Sequence, residues 1–327
     1  MILMQPSLQI QKGVDYFMNC IEISEINRRI KESPQSFADE SEAVYHAQLH
    51  EAAEKIAADK DSCPVVLISG PSGSGKTTTA LRIGNILQSE GIPAHMISMD
   101  NYFLPGETTE LPTNEDGSID LESPYRLDIP LLNKHINMIN NCETVEIPVF
   151  DFATQSRPRA VMMKRSKNEI VIFEGIHALN PEVTGQVSSF AKGIYVSVRT
   201  RIMSADGAVM HPRLIRLLRR INRDRLFRGR SIGEIFTLFD SVSNGEELYI
   251  MPFKDRASVE IDTFLAYEAS VYKNAVYDDL LKCSSLADNE DYRTICAFLK
   301  DLEAMDVKYS PKISLIREFV GGSDYDY

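Results

Sequence analysis

Gly70, Gly75, Lys76 and Thr77 satisfy the pattern G-x-x-x-x-G-K-[ST] in full. The chemistry such a run supports is the binding of a polyphosphate. Glycines let the backbone bend until several N–H groups face one anion, and the helix start behind them adds unpaired donors and about half a positive charge. Ser72, Gly73, Ser74 and Thr78 belong to the same cradle. Lys76 can reach the β and γ phosphates, and the Thr77 hydroxyl can ligate Mg2+. The pattern implies a nucleoside triphosphate, ATP or GTP. A chance match occurs in about one chain in a hundred of this length, so an inconsequential glycine-rich turn is the weaker reading.

Two carboxylates and an arginine run could complete a reaction at that loop. "ISMDNYF" delivers Asp100 just past a short apolar run, where it could accept a proton from a hydroxyl attacking the γ phosphate. The competing reading is a helix-capping or turn aspartate. "IVIFEG" ends in Glu174, a candidate for the magnesium side. The absence of Asn-Lys-x-Asp argues against a guanine-specific GTPase. "HPRLIRLLRRINRDRLFRGRS" carries Arg213, Arg216, Arg219, Arg220, Arg223, Arg225, Arg228 and Arg230 beside an apolar stripe of Leu214, Leu217, Leu218 and Ile221. All eight cations are arginine, which favours bidentate phosphate recognition over generic charge. A lid closing over the loop is the expected arrangement, with a solvated basic helix or a nucleic-acid contact as alternatives.

The elements that must position these residues alternate. Apolar runs at 64–69, 94–99, 169–175 and 193–199 read as buried strands, separated by helical or loop text. That is the texture of an α/β fold with a mostly parallel sheet flanked by helices. Ala80, Ile83, Ile86 and Leu87 predict a helix behind the phosphate loop, ended by Gly91. Residues 1–60 read as a helical extension, with "ESPQSFADES" a turn and Ser41 the cap of a helix carrying Ala43, His46, Ala47, Leu49, Ala53 and Ile56. His46 and His50 lie four apart with no third ligand in sight, so they read as surface. The core is expected over 61–270, with a lid at about 205–232, a polar surface excursion at 105–123 and a helical extension over 271–327 ending in a frayed "GGSDYDY".

Composition narrows the class. A chain of 327 residues with 43% hydrophobic and 25% charged residues can bury a sizeable core. Its net charge of -12 argues against wholesale nucleic-acid binding. Five scattered cysteines without Cys-x-x-Cys spacing suit free thiols in a reducing compartment. No apolar run approaches membrane-spanning length and the opening "MILM" is too short for a signal-peptide core, so a cytoplasmic location without membrane contact is expected.

These pieces, in this order, resemble the uridine kinase and phosphoribulokinase family of P-loop kinases. "SGPSGSGKTT", "MDNYF", "IPVFDFATQSR", "FEGIHAL" and "RLLRRINRDRLFRGRS" carry the likeness from about Ser62 to Ala266. "SVSNGEELYIMPFKDRA" and "SLIREFVGGS" resemble a longer bacterial uridine kinase-like group, whose members often carry an upstream threonyl-tRNA-synthetase-like domain; only a short remnant of one is expected before Ser41. The resemblance implies an ATP-dependent transfer of phosphate to the 5'-hydroxyl of a nucleoside, with possible homo-oligomers. It makes Asp100 the base, alongside Lys76 and Arg223 in catalysis, and puts Thr77 and Glu174 on magnesium. Tyr102, Glu122, Arg220 and Arg230 would face the nucleoside, and Arg223 and Arg228 the phosphates. Phe150, Gln155 and Leu238 stand where the family reads the base with tyrosine, histidine and glutamine, which leaves the nucleobase open. A phosphoribulokinase-like sugar-phosphate kinase and a nucleic-acid-associated or regulatory NTPase are the alternatives.

Overall fold

A computed structural model of the chain describes residues 19–106, 110–113, 117 and 119–327. It opens with β1 (Cys20–Glu22), α1 (Ile23–Glu32) and α2 (Pro34–Asp59). The core begins with β2 (Val65–Ser69), α3 (Lys76–Ser89) and β3 (Ala94–Ser98). Then come α4 (Ile129–Asn140), the strands β4 (Thr144–Asp151) and β5 (Ser156–Lys164), β6 (Ile170–Glu174), α5 (Pro181–Thr184) and β7 (Ala191–Ser197). Two short strands, β8 (Arg201–Met203) and β9 (Val209–Met210), lead into α6 (Pro212–Arg228) and α7 (Ile232–Tyr249). β10 (Val259–Asp262), α8 (Glu268–Leu280), α9 (Glu290–Asp301) and α10 (Arg317–Val320) complete the chain.

The four apolar runs are strands β2, β3, β6 and β7, as expected, and β10 joins them at the edge opposite β3. They form a five-stranded sheet in the order β10-β7-β2-β6-β3, parallel throughout. Because side chains alternate along a strand, Val66 and Ile68 join the cluster beneath α2, α3, α6 and α8. Val65 and Leu67 join the opposite cluster, with Leu132, Ile136 and Ile139 of α4. Both faces are covered, which is why these strands read as unbroken apolar text. The fifth strand, β10, is four residues long and carries Glu260 and Asp262, so it lacks that signature. β4 and β5 form a separate antiparallel hairpin.

Three expectations need correction. The second helix starts at Pro34, not after Ser41. Ser33 is its cap and accepts from Ser36 N–H, and Pro34 supplies a preset φ at the first helical position. Ser41 therefore lies inside the helix, donating to the Phe37 carbonyl, and the buried stripe is Phe37, Tyr45, Leu49, Ala52, Ala53 and Ile56. The "GGSDYDY" segment does not fray: Asp324 N–H donates to the Lys312 carbonyl at 3.2 Å and Asn85 Nδ2 donates to the Tyr325 hydroxyl at 3.0 Å. The arginine helix is a packed core element, as set out below. The expected excursion at 105–123 and the first residues of the extension lie partly outside the described residues.

Candidate active site

Strand register gathers the carboxylates at one sheet edge. Ser98 of β3 pairs with Glu174 of β6, which pairs with Ile68 of β2. Asp100 follows Ser98 by two residues and Gly70 follows Ile68 by two, so base candidate, metal candidate and phosphate loop share the carboxyl edge of a parallel sheet. Burial holds Glu174 to 7% exposure and pushes its carboxyl up to about 7, opposed by Lys76. Asp100 is raised by burial as well, with Lys76 pulling the other way, while burial lowers Lys76. Thr77, in the first turn of α3, presents a half-buried hydroxyl at the same place.

The loop's carbonyl side is tied down. Arg216 Nη1 donates to the Ser72 carbonyl at 3.1 Å, Arg219 Nη1 to the Gly73 carbonyl at 3.1 Å and Thr263 Oγ1 to the Ser74 carbonyl at 2.8 Å. In a trans peptide the N–H points opposite its C=O. Fixing these carbonyls turns the Gly73 and Gly75 amides the other way, as an anion cradle requires, while Ser74 N–H closes a turn onto the Pro71 carbonyl at 3.1 Å. Gly75, the residue before α3, has φ +83°, and a Cβ there would meet Leu315 Cδ1 at 2.3 Å. Only glycine fits both constraints.

This divides the arginines differently from the lid expected of them. Arg219 is fully buried and forked onto Glu268, at 2.7 and 2.9 Å. Arg216 pairs with Glu246 at 2.6 Å, Arg213 with Asp291 and Arg225 with Asp279. The other four surround Asp224, itself fully buried: Arg223 at 2.8 Å, Arg230 at 3.2 Å, Arg228 at 3.4 Å and Arg220 at 3.8 Å. Arg220 Nη1 also donates to Ser72 Oγ at 2.5 Å, linking this cluster to the loop. Burial depresses the Arg220 guanidinium to about 10. Arg216, Arg219 and Arg220 thus brace the loop, and the far end of α6 carries its most exposed arginine, Arg228. Asp224 escaped notice in the sequence; its one signal is a lone acid within the arginine run.

Glu122 sits against α7 at Gly245, where an added Cβ would lie 2.2 Å from the Glu122 Cβ. Burial pushes its carboxyl up to about 7, with Arg220 opposing. Beside it lie groups the sequence reading missed. Arg126 is 9% exposed and stacks 4.7 Å from the Phe103 ring centroid. Tyr249 donates to Asp120 Oδ2 at 3.0 Å, and His177 packs edge-on to the Tyr249 ring. Nε of Arg126, Nε of Arg220 and Nδ1 of His177 are buried without a hydrogen-bond partner among the described residues.

Two residues expected in the acceptor pocket do not reach it. Tyr102 is fully buried, its hydroxyl 3.1 Å from His135 Nδ1, because the turn at 99–102 folds its ring into the core. Gln155 sits exposed in the β4–β5 turn at φ +50°, its amide donating to the Phe152 carbonyl at 2.8 Å. Phe150 instead packs edge-on with Phe103 and Phe152, centroids 5.7 and 5.2 Å away. Leu238 is half-buried on α7. His46 and His50 face each other at 3.1 Å on an exposed face, and no cluster of three His, Cys, Asp or Glu able to hold a metal occurs among the described residues. No helix among them is long and apolar enough to cross a membrane.

Residues 65–268 match the Phosphoribulokinase / Uridine kinase family. A uridine kinase of Halobacterium salinarum is 29% identical over 195 residues, 59% of this chain and 77% of its own length. A uridine kinase of Staphylococcus aureus is 29% identical over 198 residues, 60% of this chain and 86% of its own. The solved structure of a possible uridine kinase from Bacillus stearothermophilus superposes with a TM-score of 0.45 at 19% identity, covering 66% of this chain and 98% of that one. On the match across the sheet, the phosphate loop and α6, the chain belongs to the phosphoribulokinase/uridine kinase family of P-loop kinases.

Proposed function

We propose that the chain transfers the γ phosphoryl group of ATP or GTP to the 5'-hydroxyl of a uridine- or cytidine-like nucleoside. The observation that carries this reading is the row Ser98–Glu174–Ile68, which sets Asp100 and the phosphate loop on one edge. Asp100 accepts the hydroxyl proton. Its burial makes it a stronger base than an ordinary aspartate, which improves the match to its task. Glu122 holds the ribose hydroxyls. Lys76, Arg223 and Arg228 neutralise phosphate charge, with Arg220 and Arg230 on the nucleoside side. Asp224 holds these arginines in position before substrate arrives, so little reorganisation remains for the reaction.

Magnesium fits the donor set: the Thr77 hydroxyl and Glu174 carboxylate are the hard oxygen ligands it takes together with substrate phosphates and waters. When bound, the ion stabilises negative charge on the β and γ oxygens. A soluble, cytoplasmic enzyme acting on small molecules, with no nucleic-acid or membrane partner, is the matching setting, and a core over 61–270 with flanking extensions is the matching domain plan.

A second reading, a sugar-phosphate acceptor, is favoured by Arg126, a buried cation next to Glu122 whose Nε has no partner among the described residues. Coupled release of ADP or GDP over a panel of nucleosides, pentoses and pentose phosphates, run with both donors, decides the matter. Turnover with nucleosides is expected. Turnover with a pentose phosphate alone gives the site to the second reading.

A further inference from the structure

The segment after α9 lies beyond the family match, yet it reaches the phosphate loop. Leu315 packs against Gly75. Thr78 Oγ1 donates to Glu318 Oε2 at 2.5 Å and lies 3.0 Å from the Tyr327 hydroxyl. These contacts are built. Leu315, Ile316 and Phe319 are fully buried, Arg219 stacks on the Phe319 ring, and Arg317 donates to the Val307 and Ser310 carbonyls at 2.8 Å each. Gly321 and Gly322, at φ +84° and +70°, then fold the chain back along α3. There Tyr325 meets Asn85 and Tyr327 meets Thr78.

Thr78 is the third residue of α3, one past the magnesium-side hydroxyl. A triphosphate whose γ end faces Asp100 and Lys76 must place its α phosphate near the first-turn amides, and its nucleoside beyond them. That exit is where Tyr327 stands. Its hydroxyl is anchored, yet the residue remains 55% exposed. Tyr325 supports it edge-on, with ring centroids 6.4 Å apart.

We propose that residues 318–327 form the nucleoside wall of the donor site, with the Tyr327 ring as the stacking platform for the donor's base. The inference rests on the reading of the loop as a triphosphate site, and the test separates the two. The full chain, Tyr327→Ala and Tyr327→Phe are titrated calorimetrically with ATP and with inorganic tripolyphosphate, which has no base. Stacking of this kind is worth about tenfold in affinity. Tyr327→Ala should lose about tenfold for ATP and nothing for tripolyphosphate, while Tyr327→Phe, which keeps the ring, should lose less than about threefold. Unchanged ATP affinity in Tyr327→Ala overturns the proposal, as does tighter ATP binding, which would make the segment a plug. Equal losses for both ligands reduce Tyr327 to a brace for the loop and overturn it too. Failure of the unaltered chain to bind either ligand defeats the triphosphate reading itself, and the wall with it.

Discussion

Glu268→Gln tests whether α6 is a brace for the phosphate loop. Arg219 is fully buried, and its only anionic partner within salt-bridge distance among the described residues is Glu268, also fully buried. Glutamine preserves shape and can still accept from one guanidinium nitrogen, but the charge is lost, leaving a buried cation uncompensated. Breaking such a pair from one side costs about 3–5 kcal/mol, a large share of the roughly 5–15 kcal/mol that holds a typical protein folded. For a chain of this size that lowers Tm by about 4–7 °C. The double change Arg219→Met with Glu268→Leu removes both charges and should recover part of that loss, since apolar replacement of a buried pair is often neutral or better, while the Thr263 carbonyl and the Leu265 N–H lose these partners. It also deletes the bond to the Gly73 carbonyl, so ATP affinity should stay low in the double variant although its stability partly recovers. Thermal unfolding by circular dichroism and ATP titration measure the two effects separately. A Tm within about 2 °C of the unaltered chain for Glu268→Gln, or a double variant with normal ATP affinity, would refute the bracing argument.

Four further outcomes follow from the same geometry. Asp100→Asn should lower kcat by about 10²–10⁴-fold with ATP affinity nearly unchanged, measured by ADP release. Asp224→Asn leaves Arg220, Arg223, Arg228 and Arg230 crowded without their shared anion; steady-state kinetics should show reduced kcat, and urea unfolding a loss of about 3 kcal/mol or more. Gly75→Ala meets both an unfavourable positive φ and Leu315, so a loss of about 1–3 kcal/mol is expected in urea, along with weakened ATP binding. Glu122 releases its proton near pH 4.5 when unfolded but near 7 when folded, so between those values the folded chain holds the extra proton and stability falls as pH rises, levelling off above 7. Glu122→Gln should remove that contribution, changing the stability slope between pH 5 and 7 by at most about 1.4 kcal/mol per pH unit; identical slopes would contradict the burial of this carboxyl.

Much of the site is written in short stretches. The phosphate loop, the four apolar strands and the helix behind the loop each depend on neighbours a few residues away, through turn-forming glycines, apolar runs and helical spacing. Asp100 and Glu174 were legible for the same reason, since one follows and the other closes an apolar strand. Ser33 was legible in principle, as a serine before proline at a helix start, but Ser41 also precedes helically spaced residues and offers the same capping signal.

The allotment of the arginines could not be read this way. Arginine type and spacing are the same whether the partner is a phosphate or a buried carboxylate, and the partners lie far off in sequence: Glu268 is 49 residues from Arg219, and Gly73 is 146. Tyr102, Arg126 and Tyr327 share this character, because each orientation depends on which distant side chain is within reach. The sequence by itself determined that a phosphate loop opens a parallel α/β sheet with carboxylates at the same edge, for those features are local. Only the tertiary structure decided which cations hold the loop, which surround Asp224, and that the segment from Glu318 to Tyr327 closes onto Thr78. Such pairings exist only once the chain has packed and desolvated both partners together.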